Sequence, residues 1–168
     1  MAVVDVYGTF NPKRQAGAQH VLADSGYHRF DVMVATQDRC QIPSGAEVGS
    51  KVYLAPVSWD FIPIRELSTV NFDDAGTSVT LNFGDANDVD ALIALQDIAA
   101  AAGSCSAIKT IDISREGDPL WKLLGYASRD AAVTANAGLQ TASLFFTIAG
   151  ATTGAACDLA WKLVGTRA

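Results

Sequence analysis

The chain has 168 residues, the size of one domain, and is long enough to bury a core without disulfides or a metal. Its net charge is −6 and no Lys/Arg cluster is longer than Lys13–Arg14, so nucleic acid is a poor candidate partner. Only 18% of the residues are charged, which favours a surface partly covered in an oligomer over a monomer with a bland surface.

The sequence lacks the patterns of secreted and membrane proteins. Met1–Gln15 has no basic stretch followed by a long apolar run, so we expect no signal peptide. The uncharged stretch Ala131–Cys157 has a strongly apolar core of only LFFTIAG, too short to span a membrane as a helix. The widely spaced Cys40, Cys105 and Cys157 form no CxxC motif, so we expect reduced thiols and folding in a reducing cytoplasm.

The N-terminal segment, residues 1–28, shows no sustained period and is rich in glycine. Two interpretations remain open: a partly disordered terminus, or an extended arm that lies across a neighbouring subunit. The arm is favoured because several side chains are too apolar for a solvated tail. These are Val3, Val4, Val6, Tyr7 and Phe10. We therefore expect an arm, residues 1–28, followed by one domain, residues 29–168.

The first half of the domain predicts strands. Arg29–Ala35 alternates with Phe30, Val32 and Val34 on one face, and a loop with glycine and proline leads to a short strand, Lys51–Leu54. Pro56 and Pro63 bracket Val57, Trp59 and Phe61, so this segment is expected to be extended, at an edge or in a loop.

The central strand is expected at Ser78–Gly84, where Val79, Leu81 and Phe83 lie on one face. The preceding strand, Ile64–Phe72, breaks its alternation near Glu66, which predicts a bulge there. A turn with the sequence DDAGTS is expected to join the two strands as a hairpin.

After Gly84 the apolar period changes and predicts a short helix capped by Asn87 or Asp88. Its apolar stripe comprises Val89, Leu92, Ile93 and Leu95. Gly103 closes this helix, and Ala107–Ile113 is predicted to be a strand.

The C-terminal third predicts a helix and a hairpin. Asp118 is a candidate cap, Pro119 suits the first helical position and Gly125 suits the end of the helix. Polar loop residues 128–138 precede two strands, 139–148 and 157–164, which we expect to pair as an antiparallel hairpin. The strand faces expected to be apolar carry Leu144, Phe146 and Ile148 on the first and Cys157, Leu159, Trp161 and Leu163 on the second.

Together these elements predict an all-β fold, an antiparallel β-sandwich of jelly-roll type with two short helical insertions. Trp121 and Trp161 lie on apolar periods and are expected in the core, whereas Trp59 is the candidate surface aromatic. Such an aromatic suits an interface anchor or a sugar-binding platform.

Residues for catalysis or metal binding are sparse. His20 and His28 have no Glu or Cys at ligand spacing. The acidic run Asp85–Asp90 lacks the glycine of a calcium loop and is interpreted as helix-capping residues, with a weak calcium site as the alternative. The sequence contains no P-loop, GxGxxG or GxSxG motif, so we expect neither an enzyme nor a cofactor.

Two stretches carry a family resemblance: GTSVTLNFGDANDVDALI followed by AAAAGS, and PLWKLLGY. With the order of the elements around them, from Arg29 to Val164, the chain resembles small virion proteins of tailed bacteriophages. These are the capsid decoration, cement or head-stabilising proteins, which are typically encoded beside the major capsid protein.

The resemblance implies a non-enzymatic jelly-roll protein made in the bacterial cytoplasm and placed on the outer surface of the phage head. It would form a homodimer or homotrimer that bridges neighbouring major capsid proteins. The candidate capsid contacts are Val3, Val4, Val6, Tyr7 and Phe10 of the arm and Val57, Trp59 and Phe61 of the following loop. The alternatives are a head-fibre base or neck protein on the same fold, and a carbohydrate-binding β-sandwich module.

Overall fold

The computed structural model describes residues 5–7, 34–99 and 101–167. This part of the chain is built mainly from short strands, with two short helices between residues 120 and 135. The strands are β1 (Asp5–Tyr7), β2 (Val34–Ile42), β3 (Lys51–Tyr53), β4 (Val57–Ser58), β5 (Phe61–Pro63), β6 (Thr69–Phe72), β7 (Thr80–Gly84), β8 (Ile93–Asp97), β9 (Gly103–Ser106), β10 (Thr141–Ala142), β11 (Phe145–Ala149) and β12 (Cys157–Arg167). The helices are α1 (Leu120–Leu123) and α2 (Arg129–Ala135), and a 3₁₀ turn covers Ile113–Arg115.

The strands form two main sheets. Sheet A has the order β1-β3-β11-β7-β8, and sheet B has the order β2-β12-β6-β9, with β5 paired to the end of β12. Leaving out β1 and the short β4, β5 and β10, each sheet keeps four strands, and consecutive strands along the chain change sheet at every connection except β7 to β8. Eight strands wound in this way form a jelly roll, which confirms the predicted all-β sandwich.

The core lies between the two sheets, where alternate side chains of each strand point inward. Val79, Leu81 and Phe83 are each 0% exposed, as their spacing predicts. Phe83 stacks on Phe146 with ring centroids 4.3 Å apart, and Phe146 lies 5.6 Å from Trp161 of the opposite sheet. This aromatic row joins sheet A to sheet B through the middle of the sandwich.

The last strand, β12, organises sheet B. It pairs antiparallel with β2 along its length, from Cys157 opposite Ile42 to Gly165 opposite Val34. On its other side it pairs with β6 and then with β5. Its predicted apolar face is buried, because Cys157, Leu159, Trp161 and Leu163 are each at most 2% exposed.

The two predicted hairpins are wrong. Strand β6 lies in sheet B and β7 in sheet A, so the DDAGTS segment crosses between sheets instead of joining neighbours. The same holds for β11, in sheet A, and β12, in sheet B. Local alternation predicts which face of a strand is apolar, but in a jelly roll the next strand along the chain usually belongs to the other layer.

The predicted helix after Gly84 is also wrong. The chain turns there and returns as β8, which pairs antiparallel with β7. Leu92 and Ile93 are buried, but Val89 and Leu95 are 41% and 65% exposed, so the expected apolar stripe does not exist. Backbone pairing with the central strand decides the conformation, since a short segment has little helical stability of its own.

The helix predicted near Pro119 is confirmed as α1. Pro119 is its N-cap residue, without a side-chain hydrogen bond from Asp118, and Gly125 has the left-handed φ of +83° that ends a helix readily. The segment predicted as a polar loop contains α2, whose N-cap residue is Ser128. Its hydroxyl accepts a hydrogen bond from the Ala131 amide, a standard N-cap contact.

Other strand boundaries shift. The expected strand at Ala107–Ile113 is a series of turns, and β9 lies just before it, paired with β6. The expected strand Ile64–Phe72 is shortened to β6, because the amides of Leu67 and Ser68 both donate to the Ile64 carbonyl and form a turn.

Part of the N-terminal prediction falls outside the described residues. This concerns the arm apart from Asp5–Tyr7, the boundary between residues 28 and 29, and most of the strand expected at Arg29–Ala35. The described strand that follows is β2. None of the described helices has the length and apolar content needed to cross a membrane.

Candidate interaction surfaces

The predicted loop contacts lie in the core. Val57, Trp59 and Phe61 are 6%, 0% and 3% exposed, so the expectation that Trp59 is a surface aromatic is wrong. The Trp59 indole nitrogen donates to the Leu139 carbonyl at 2.8 Å. Its ring also meets Tyr126 edge-to-face at 5.4 Å.

The segment between the two prolines is not extended throughout, because a turn at Trp59 and Asp60 separates β4 from β5. Both α1 and the chain after α2 pack against this segment. The Trp121 amide at the start of α1 donates to the Trp59 carbonyl. The sequence around the prolines does not predict that Trp59 is buried, because the residues that pack over it lie 60 to 80 positions later in the chain. As folded, the loop presents none of these three apolar side chains to a partner.

The N-terminal contacts are partly described. Val6 and Tyr7 belong to β1, which adds to the edge of sheet A as a parallel neighbour of β3. Val6 stands opposite Val52 and Tyr7 opposite Tyr53 in the register. Val3, Val4 and Phe10 lie outside the described residues.

The outer face of sheet A near this edge is not an ordinary solvated surface. Val52 and Phe146 point into the core, so their strand neighbours Lys51, Tyr53 and Phe145 lie on the outer face. Phe145 is nevertheless only 2% exposed. The Tyr53 ring meets it edge-to-face at 5.5 Å, and the Lys51 ammonium lies 4.3 Å from its centroid. An aromatic and cationic cluster therefore lies on β3, the strand that receives β1, and on the neighbouring β11.

The outer face of sheet B is polar and carries an open depression of about 580 Å³. It lies over β12, where Ala160 stands between Arg39 of β2 and Asn71 of β6. The small alanine leaves room between longer neighbours. On its rim, Gln41 donates to the Asp158 carboxylate at 3.0 Å. Charges of both signs line this face, so it has no strong preference for an anionic or a cationic partner.

Asp85, the first residue of the acidic run, stabilises the turn between β7 and β8 through hydrogen bonds. One carboxylate oxygen of Asp85 accepts the amides of Asn87 and Asp88, each at 3.0 Å. The other oxygen accepts the Tyr126 hydroxyl at 2.7 Å, and Asn136 donates to that hydroxyl at 3.1 Å. Asp85 thereby ties the turn between β7 and β8 to the two helices.

This network accounts for Asp85 through protein donors alone, in a turn that contains no helix. Both oxygens of the buried Asp85 are committed to protein donors. Within residues 5–7, 34–99 and 101–167, no group of three or more His, Cys, Asp or Glu side chains is arranged to hold a metal. His20 and His28 lie outside these ranges.

The cysteines are free thiols with low nucleophilic character. Burial, reinforced by the nearby charge of Asp38, raises the pKa of Cys40 to about 12. Burial likewise raises the pKa of Cys105 and of Cys157. Since the thiolate is the reactive form, all three are protonated near neutral pH and suit packing better than catalysis.

Comparison with protein-family models finds no match, and comparison with curated proteins finds no significant match. Among solved structures, the chain is similar to one chain of the cyanophage Pam1 capsid asymmetric unit, with a TM-score of 0.54 and 13% sequence identity. The alignment covers 89% of this chain and 95% of that chain. At this identity the similarity is one of fold, and it extends over nearly the whole of both chains.

Proposed function

We propose that this chain is a non-enzymatic virion structural protein, a capsid cement or decoration protein of a bacteriophage. In this role it binds the outer surface of the head and bridges neighbouring major capsid proteins. The observation that carries the proposal is the jelly-roll similarity to a chain of a cyanophage capsid asymmetric unit. Because the alignment covers 89% of this chain and 95% of that chain, the similarity includes both sheets of the sandwich and not a single supersecondary motif.

The proposed mechanism is stabilisation by mass action. A protein that binds only the assembled shell lowers the free energy of that state by its binding free energy, repeated at every site. A dimer or trimer that touches several capsomers raises the effective concentration of each contact. Modest contacts through small patches are then sufficient.

We assign the capsid contact to the N-terminal arm, including Val3, Val4, Val6, Tyr7 and Phe10. The loop Val57–Phe61 does not take part, because its apolar side chains are buried. Subunits are proposed to associate through a sheet face.

The chemistry of the described residues is consistent with a binding role. The thiols are protonated, Asp85 and Tyr126 are used in a buried structural network, and Arg129 pairs with Asp60 at 3.0 Å. The burial of Trp59 removes the aromatic platform on which the carbohydrate-binding alternative depended.

The test is the position of the chain on intact particles of the phage that encodes it. We expect an antibody against the chain, detected by gold labelling, to mark many sites spread over the outer head. Labels at a single vertex would assign it to the neck or a head-fibre base instead. Particles that carry no label, while the major capsid protein is detected, would overturn the proposal.

A further inference from the structure

Strand β1 occupies the outermost position of sheet A, and its register on β3 is chemically matched. Asp5 stands opposite Lys51, Val6 opposite Val52 and Tyr7 opposite Tyr53. The register therefore places an acidic residue opposite a basic one, a valine opposite a valine and a tyrosine opposite a tyrosine. Matched pairs of this kind favour one alignment of neighbouring strands.

Strand β3 has two edges with different partners. One edge pairs antiparallel with β11 inside sheet A, and the other receives β1 in parallel. An edge strand presents a row of backbone donors and acceptors that bind any extended segment of suitable sequence. The outer edge of β3 is therefore a site for a three-residue strand.

The chain that leads from β1 to the domain is long. Residues 8–33 separate β1 from β2, and an extended segment of that length reaches on the order of 85 Å. A domain of this size has a radius of gyration of about 15 Å. The connection therefore does not restrict β1 to the β3 edge of its own copy.

We infer that β1 is exchanged between copies, so that Asp5–Tyr7 of one chain pairs with Lys51–Tyr53 of a second chain. The exchanged pair has the same register and the same backbone partners as the pair within one chain, so exchange keeps the described pairing of β1 with β3. Where copies lie close together, as in an oligomer, a neighbouring β3 competes with the chain's own. Each exchanged strand then links two copies.

Disulfide trapping between two distinguishable copies tests this inference. One copy carries Asp5→Cys and an affinity tag, the other carries Lys51→Cys, and both are expressed together and oxidised. We expect a covalent pair of copies on a non-reducing gel. The matched control replaces the second variant by Glu66→Cys, an exposed position outside sheet A, and is expected to yield no such pair.

A second pair, Tyr7→Cys with Tyr53→Cys, repeats the test at the other end of the strand and covers a failure of the first pair to fold. The double variant Asp5→Cys/Lys51→Cys in a single chain supplies the opposing result. An intrachain disulfide there, without covalent pairs between copies, overturns the inference. It is also overturned if no disulfide forms in any variant, or if the Glu66→Cys control cross-links equally well.

This experiment needs no capsid. Its failure therefore leaves the proposed virion role intact, and absence of the chain from particles leaves strand exchange intact.

Discussion

The Tyr126 hydroxyl donates a 2.7 Å hydrogen bond to the buried carboxylate of Asp85, joining the segment between α1 and α2 to the turn between β7 and β8. Asp85 is 1% exposed and carries two further backbone hydrogen bonds through its other oxygen. A buried carboxylate is tolerated only when its oxygens are satisfied. The helices are therefore attached to the sandwich by a polar network in addition to apolar packing.

We expect Tyr126→Phe to destabilise the protein, because it leaves one Asp85 oxygen without its donor. Hydrogen bonds to charged groups contribute about 1.5–3 kcal/mol, so a loss of about that size is expected in the free energy of unfolding by urea. Glu66→Gln, at an exposed carboxylate, is the control and should change stability by less than about 0.5 kcal/mol. Equal stabilities of the two variants would contradict the assigned role of the pair.

The same contact predicts an alkaline loss of stability. Burial and the hydrogen bond to Asp85 raise the pKa of Tyr126 to about 12, although the Asn136 contact acts in the opposite direction. In the unfolded chain the phenol titrates near 10. The stabilising contribution is thus complete below pH 10 and is lost as the pH rises towards 12.

We expect the urea midpoint of the native protein to fall over this interval, and to fall less steeply in Tyr126→Phe. The Cys40 thiol, whose pKa burial also raises to about 12, contributes to the fall in both proteins. The difference between them therefore isolates the phenol. Parallel curves would show that Tyr126 does not titrate as described.

Trp59→Ala is expected to destabilise the fold by about 3–5 kcal/mol, as for other large core aromatics. The side chain is fully buried and its indole nitrogen is bonded to the Leu139 carbonyl. Leu95→Ala, at a leucine that is 65% exposed, is the control and should be nearly neutral. Chemical denaturation measures the free energy of unfolding of both variants. A change close to zero in Trp59→Ala would contradict the burial of this side chain in the core.

Gly84→Ala is expected to cost about 3 kcal/mol, because a methyl group there would run into the Asp88 carbonyl oxygen and the Val89 backbone. Backbone atoms in a tight turn have little room to move. At Gly117 a methyl group meets open space, and only the left-handed φ of +97° opposes it. Gly117→Ala should therefore cost about 1–2 kcal/mol. Thermal unfolding of the two variants would refute the steric argument if their order were reversed.

Removal of Met1–Phe10 is expected to leave the sandwich folded and to abolish binding to the head. The deletion removes β1 from the edge of sheet A and leaves in place every core residue that the structure describes between residues 42 and 163. Circular dichroism checks the fold, and co-sedimentation with heads prepared without the protein measures binding. Leu95→Ser alters an exposed apolar residue at the opposite edge of the same sheet and should bind normally. Normal decoration by the truncated protein would exclude the arm as the capsid contact.

The sequence by itself determined the class of the fold and the inward faces of its principal strands. Alternation at Val79, Leu81 and Phe83 and along Cys157–Leu163 is a local property, and burial in the sandwich follows it directly. The signals at Pro119 and Gly125 are local as well, since they depend on backbone dihedral angles, and α1 lies between them.

Only the tertiary structure decided which strands are neighbours and what covers them. Ile93–Asp97 is a strand because β7 offers it a partner, and Trp59 is buried because α1 and the chain after α2 fold over it. Strands β11 and β12 follow one another along the chain yet lie in opposite sheets. Periodicity specifies which side of a segment is apolar. The strand that it pairs with is decided by contacts between residues far apart in the sequence, and these contacts leave no local sequence pattern.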